Sequence, residues 1–276
     1  MFARTIFSIL GVFLSIASFV ESSDITLCYP SEKKVAYTFE TELDVETAFP
    51  DFTLNEGIRQ KILAEVKLFD DENEEVEGEE LGVEICLKNI SAEIQENDKK
   101  NCYSTDEPKD SLEFIQLKGL LNRPFRFRLQ ANLSSENFAQ LSFLEKEDSF
   151  AVNFLSKEVF SEMCQYLFLL GEKKLQQGLK IQHENGLEID VNKISDGLVQ
   201  ATFGKQIQKG EESPEGEGVE LEGVLSGTAS WQSDNALMHK VKVYQSLFGE
   251  LKNGEGVSSP VKIKIIHSIH TNPLEV

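Results

Sequence analysis

The sequence predicts a mainly β chain of the α+β kind: a curved antiparallel sheet or half-barrel packed on one helix at about 156–170. Two observations carry that expectation. Stretch after stretch alternates apolar and polar residues with period two, the mark of a strand with one wet side. One stretch alone has the three-and-four spacing of an amphipathic helix.

The first element is a leader. "MFARTIFSILGVFLSIASFVESSD" places Arg4 before an apolar run from Ile6 to Val20, followed by small and polar residues. That is the layout of a secretory signal peptide. The run falls about three to five residues short of a comfortable bilayer span. Residues 1–23 are therefore expected to be removed, with a retained N-terminal anchor as the competing reading. Residues 24–276 are expected to form a single exported β-rich domain, any subdivision falling near 150–180. The destination is secreted or periplasmic, with no membrane span after signal removal.

Strands follow in turn. In "VAYTFETELDV", Val35, Tyr37, Phe39, Thr41, Leu43 and Val45 share one face. "KILAEVKLFD" repeats the pattern with Ile62, Ala64, Val66 and Leu68, and "LGVEICLKNI" with Leu81, Val83, Ile85 and Leu87. "PFRFRLQANL" sets Phe125, Phe127 and Leu129 against Arg126, Arg128 and Gln130. "GLEIDV" and "GLVQATFG" resume strands after the helical stretch, and "VKIKIIHSIH" ends the series. Such alternation favours an antiparallel sheet with one buried face.

"SKEVFSEMCQYLFLLG" differs, with Val159, Phe160, Met163, Cys164, Leu167 and Phe168 at helical spacing. Ser156 stands at its N-cap and Gly171 at its end. Residues 225–243, "LSGTASWQSDNALMHKVKV", read as a hairpin turning through Gln232–Asn235. Its Trp231, the one tryptophan of the chain, reads first as a packing residue. Alternation puts Met238 on the same side as Lys240 and Lys242.

The formal net charge is −20, and the leader's Arg4 and Glu21 cancel, so the exported part keeps it. This acidity argues against nucleic acid and against docking on anionic lipid. Residues 70–80 hold eight carboxylates, and residues 209–223 combine Gly, Pro and Glu. Both read as solvated loops, with divalent-cation capture as the competing reading; residues 70–80 lack the ligand spacing of a calcium loop.

Cys28, Cys86, Cys102 and Cys164 remain after the leader, an even set that in an exported chain predicts disulfides with three possible connectivities. Cys86 with Cys102 is preferred, across a short polar loop, leaving Cys28 with Cys164. The competing reading keeps Cys164 as a buried thiol. No C-x-x-C pair exists, so no metal site is expected.

Catalytic signatures are missing from the sequence. There is no G-x-S-x-G, no H-E-x-x-H and no phosphate-binding glycine loop. His267 and His270 sit an odd number of residues apart on a strand, so they face opposite sides. His183 and His239 have no motif around them. Asn89 and Asn132 head glycosylation triplets. No cofactor is implied.

"LLNRPFRFRLQANL", the stretch ending "LFLLGEKKLQQG" and "LSGTASWQSDNALMHKVKV" together resemble a layout of exported bacterial antiparallel-β proteins of unknown function. Gly227, Trp231, Asp234, Met238, Lys240, Val241 and Val243 match in order, with Asn235 where a turn glycine is usual. A second resemblance, to the N-terminal β-barrel of vitellogenin-type lipid carriers, rests on "VAYTFETELDV" and "GIRQKILAEVKL". Both resemblances imply antiparallel sheets that cradle a helix or an apolar ligand.

The functional expectation is a non-catalytic exported protein binding a lipid-like or other hydrophobic molecule. Phe160, Met163, Leu167 and Trp231 are its candidate contacts. The alternative is a structural or interaction protein of the cell envelope, with an envelope protein as partner. An exported hydrolase ranks third.

Overall fold

A computed structural model describes residues 25–29, 34–70, 80–106, 115, 118–130, 140–143, 163–164, 166–170, 174–183, 186–212, 218–233, 235–252 and 258–272. The leader, Phe160, Asn132 and most of the acidic stretch 70–80 lie outside the described residues.

The strands are β1 (Ile25–Thr26), β2 (Lys34–Ala48), β3 (Thr53–Asp70), β4 (Glu80–Glu96), β5 (Lys99–Ser104), β6 (Pro124–Gln130) and β7 (Gln140–Phe143). After a 3-10 turn at Tyr166–Phe168 come β8 (Lys174–Leu175), β9 (Lys180–Gln182), β10 (Glu188–Ser195) and β11 (Leu198–Glu212). The last three are β12 (Gly218–Gln232), β13 (Met238–Lys252) and β14 (Ser258–Asn272). β1 and β8 form a small two-stranded sheet, and the rest form one twelve-stranded antiparallel sheet.

The main sheet is two meanders sewn together. Its order is β7-β6-β4-β3-β2-β14-β13-β12-β11-β10-β9, with β5 also on β4. The seam is β2 against β14, joined over twelve residue pairs from Val261–Thr47 to Asn272–Ala36. Strands near the two ends of the chain thus meet at the middle of the sheet. On the outer face Lys262 Nζ lies 2.9 Å from Glu46 across the seam, and Lys61 3.0 Å from Glu40 and Arg59 2.8 Å from Asp44 tie β3 to β2 beside it.

The sheet is open and does not curl into the expected half-barrel. Closure needs edges of matched length and stagger. Here the strands taper from 15–18 residues at the centre to four in β7 and three in β9, too short to zip together.

The connection between the meanders must travel from the β7 edge to the β9 edge. Along it Met163, Cys164 and Tyr166–Leu170 are all buried on the sheet's inner face. Tyr166 stacks on Phe203 of β11 at 6.4 Å between centroids, and Thr41 of β2 donates a 3.6 Å hydrogen bond to Met163 Sδ. The segment is a strap over the core. It is not the expected helix: among the described residues of 156–170, Met163–Cys164 are helical and Tyr166–Phe168 form a three-residue 3-10 turn. The physical reason is that Tyr166 to Leu170 bury five side chains in succession, whereas an amphipathic helix keeps one face wet.

Two further expectations change. Residues 209–212 extend β11 and 218–223 extend β12, so the expected 209–223 loop shrinks to the stretch between these strands. The four cysteines are free thiols, with no disulfide among the described residues. Cys102 pairs in register with Glu93, seven positions along β4 from Cys86, roughly 20 Å at strand spacing. A disulfide tolerates under about 7 Å between Cα atoms. Cys28 is exposed while Cys164, in the strap, is fully buried, so they face different environments.

Candidate ligand-binding face

Register places inner-face side chains in rows across the sheet. The row Ile90–Ile62–Phe39–Ile269–Val241–Ala229 is apolar and buried throughout. Together with Tyr37, Leu27 and Leu175 it forms the strapped half of the face. Two residues further along the strands, the row Ala92–Gln60–Thr41–His267–Val243 is polar at its centre. Beyond it lies Ile94–Ile58–Leu43–Ile265, then Val45–Ile263, and all six of these side chains are only half-buried. The polar row therefore separates the strapped half from a more open half, half-buried on β4, β3, β2 and β14 and buried again at Gln245, Leu247 and Leu225 of β13 and β12.

The border is tightly built. Thr41 Oγ1 and His267 Nδ1 are 3.0 Å apart, and Thr41 also reaches Met163 Sδ. Both contacts are satisfied when the neutral imidazole carries its proton on Nδ1 and donates to Thr41, whose own proton then goes to sulfur. Burial pushes the His267 pKa down to about 4, because the charged form loses its hydration. The Tyr166 ring stands 6.2 Å from the imidazole. Burial likewise pushes the Cys164 thiol up, which keeps it protonated and unreactive.

Gln60 stands next to Thr41 in this row. It is 5% exposed, yet its amide Nε2 has no hydrogen-bond partner. An amide buried without an acceptor is costly and rare.

Of the residues singled out in the sequence, Met163 and Leu167 are strap residues and fully buried. Trp231 is also 0% exposed, at the closed end near the β12–β13 turn, where its indole N–H has no acceptor. The three sit in or under the strapped half, with the open rows on the far side of Gln60. His267 and His270 do face opposite sides of β14, the first buried and the second half-buried. No group of three metal-ligating side chains occurs among the described residues.

Gln60 lies just before the strand that the alternation from Lys61 marks in the sequence. Extending the alternation back by one residue pair puts Gln60 on the face of Ile62 and Ala64. The outer-face grooves of about 600 and 640 Å3, which share Phe248 and Lys262, carry no such mark in the sequence. Phe248 is 54% exposed there, with Tyr244 and Val224 nearby in register.

Comparison with protein-family models gives no match, and no curated protein matches the chain. The arrangement of residues is what a functional reading must rest on. It offers an apolar surface, a neutral imidazole, a hydroxyl and an unpaired amide donor. None of these is set up as a nucleophile with an adjacent base and orienting group.

Proposed function

We propose that this chain is an exported, non-catalytic protein that holds a lipid-like or other hydrophobic ligand on the open half of its inner sheet face. The observation that carries this reading is the border at Gln60, Thr41 and His267. Polar side chains are buried there, beside apolar rows whose side chains on β4, β3, β2 and β14 are only half-buried. A pocket with mostly apolar walls and a few convergent polar groups is the usual form of a small-molecule site. Long antiparallel strands and the resemblance to vitellogenin-type carriers are in keeping with it. The ligand surface shifts from Phe160, Met163, Leu167 and Trp231 to Leu43, Val45, Ile58, Ile94, Ile263 and Ile265.

Native mass spectrometry of protein purified from its own host tests the reading. Bound lipid at one-to-one occupancy supports it, and repeated recovery of the bare chain defeats it.

The outer face favours a second reading, an interaction protein of the cell envelope. Phe248, Tyr244 and Val224 are 54%, 42% and 45% exposed on a surface otherwise rich in charge. Cross-linking in the host through a photoreactive residue at position 248 separates the two. A specific protein adduct together with an absence of lipid would favour the interaction role.

A further inference from the structure

The chemistry of the ligand's polar end follows from the border row, and the inference rests on the hydrophobic-ligand reading above. We propose that the ligand is an uncharged, carbonyl-bearing amphiphile, an acyl ester, whose carbonyl accepts from Gln60 Nε2 while its chain runs over Ile58, Leu43 and Val45.

The first argument is the unpaired donor. Gln60 lies on the inner face by strand parity with Ile58 and Ile62, and it is nine-tenths buried with no acceptor for Nε2. A ligand oxygen at this point would complete it. An alkane could not, and would leave the amide unsatisfied.

The second argument is charge. A carboxylate head buried here would need a cation, because an isolated buried charge is strongly disfavoured. Neither Gln60's row nor the next one out, from Ile94 across to Leu225, holds a lysine or arginine. The nearest inner-face cation by register, Lys99, is exposed opposite Glu96 on β5, two strands and four residues from Gln60, roughly 16 Å at strand spacing. His267 is held neutral by burial and cannot substitute. Further along the open half the register places Glu56 and Glu96 on the same face, and both repel an anion. A neutral ester meets none of these penalties.

Length agrees as well. From Gln60 the half-buried rows of Leu43 and Val45 continue for two steps of two residues, roughly 13 Å, up to the buried pair Thr47–Val261. That is a hydrocarbon-sized track.

The test uses the full exported chain and displacement of bound diphenylhexatriene by methyl oleate, monoolein or oleate. Both esters should displace the probe at least about tenfold more strongly than oleate. Gln60→Leu should remove that preference by weakening ester binding about tenfold while leaving probe binding intact. Gln60→Met, closer in shape, guards against loss of fold, with thermal melting as the check on both. Oleate binding as tightly as the esters, or ester affinity unchanged in both variants, overturns the inference and leaves the hydrophobic-ligand reading standing. Failure of the wild-type chain to bind diphenylhexatriene or any of the three lipids overturns both.

Discussion

Thr41 of β2 and His267 of β14 stand opposite each other in register, their Oγ1 and Nδ1 atoms 3.0 Å apart under the strap residue Met163. One hydrogen bond thus joins the first long strand of the chain to the last, at the seam where the two meanders meet. The strap crosses the sheet at this same point, so the seam, the strap and the edge of the open face share their residues. Loosening the Thr41–His267 pair should be felt in all three.

Protonation of His267 is the first expected way to loosen it. Its folded pKa of about 4 lies below the ordinary imidazole value of about 6.5. The unfolded chain therefore binds the proton more readily. The stability contributed by neutral His267 is fully present above pH 6.5 and is lost as pH falls through about 4. A gap of that size corresponds to about 3 kcal/mol across the window. His267→Gln should flatten the pH dependence of urea unfolding between pH 4 and 6.5 relative to wild type, although its stability at neutral pH falls. Parallel pH curves for the two proteins would show that the imidazole is not buried in this way.

Thiol accessibility gives a second test. Cys28 and Cys102 are exposed, Cys86 is half-buried and Cys164 lies fully inside. Intact mass measured after iodoacetamide treatment of native protein should show Cys28 and Cys102 modified first and Cys164 unmodified. After denaturation without reductant, all four should react. A mass two or four daltons low before alkylation, with reagent uptake reduced to match, would mean that the expected disulfides form after all.

The alternation of β2 and β14 made the central strands legible, because each keeps one register along its length. Three other strands do not. Extra residues at Lys88, Asn192 and His239 break the pairing of β4, β10 and β13. Each bulge resets which parity faces inward. Simple alternation therefore grouped Met238 with the lysines, whereas the bulge at His239 turns it into the core at 1% exposure. The strap was misread because a short apolar run is compatible with a helix or a buried irregular segment until its surroundings are known. The β2–β14 seam had no local signal, since it depends on residues more than two hundred positions apart. Gln60 could have been found from parity, but its unpaired amide could not.

Trp231 supplies an optical readout, being the single tryptophan of the chain. It is fully buried among Val199, Met238 and neighbouring core residues, and its indole N–H has no acceptor. Native emission should be blue-shifted and resistant to acrylamide, moving red on unfolding. Trp231→Phe loses ring volume but also removes an unsatisfied donor, so its cost should be at the low end for a core truncation, about 1–2 kcal/mol. Native emission at the wavelength of free tryptophan would place the residue on the surface.

Backbone packing between β12 and β13 gives the last prediction. Gly223 pairs with Leu247. A Cβ added there would run into the Ser246 carbonyl oxygen and the Leu247 Cα, both backbone atoms of the neighbouring strand. A flexible side chain could move aside, but a paired strand can do so only by distorting its ladder. Gly223→Ala should therefore destabilise by about 1–3 kcal/mol, the usual cost of overpacking. Gly119 has open space around its Cβ position, so Gly119→Ala should be neutral or gain about 0.4–1 kcal/mol by restricting the unfolded chain. Urea midpoints of the two variants should move in opposite directions, or one should fall while the other stays. Equal behaviour would mean that β12 and β13 do not approach closely at Gly223, and that this strand pairing needs revision.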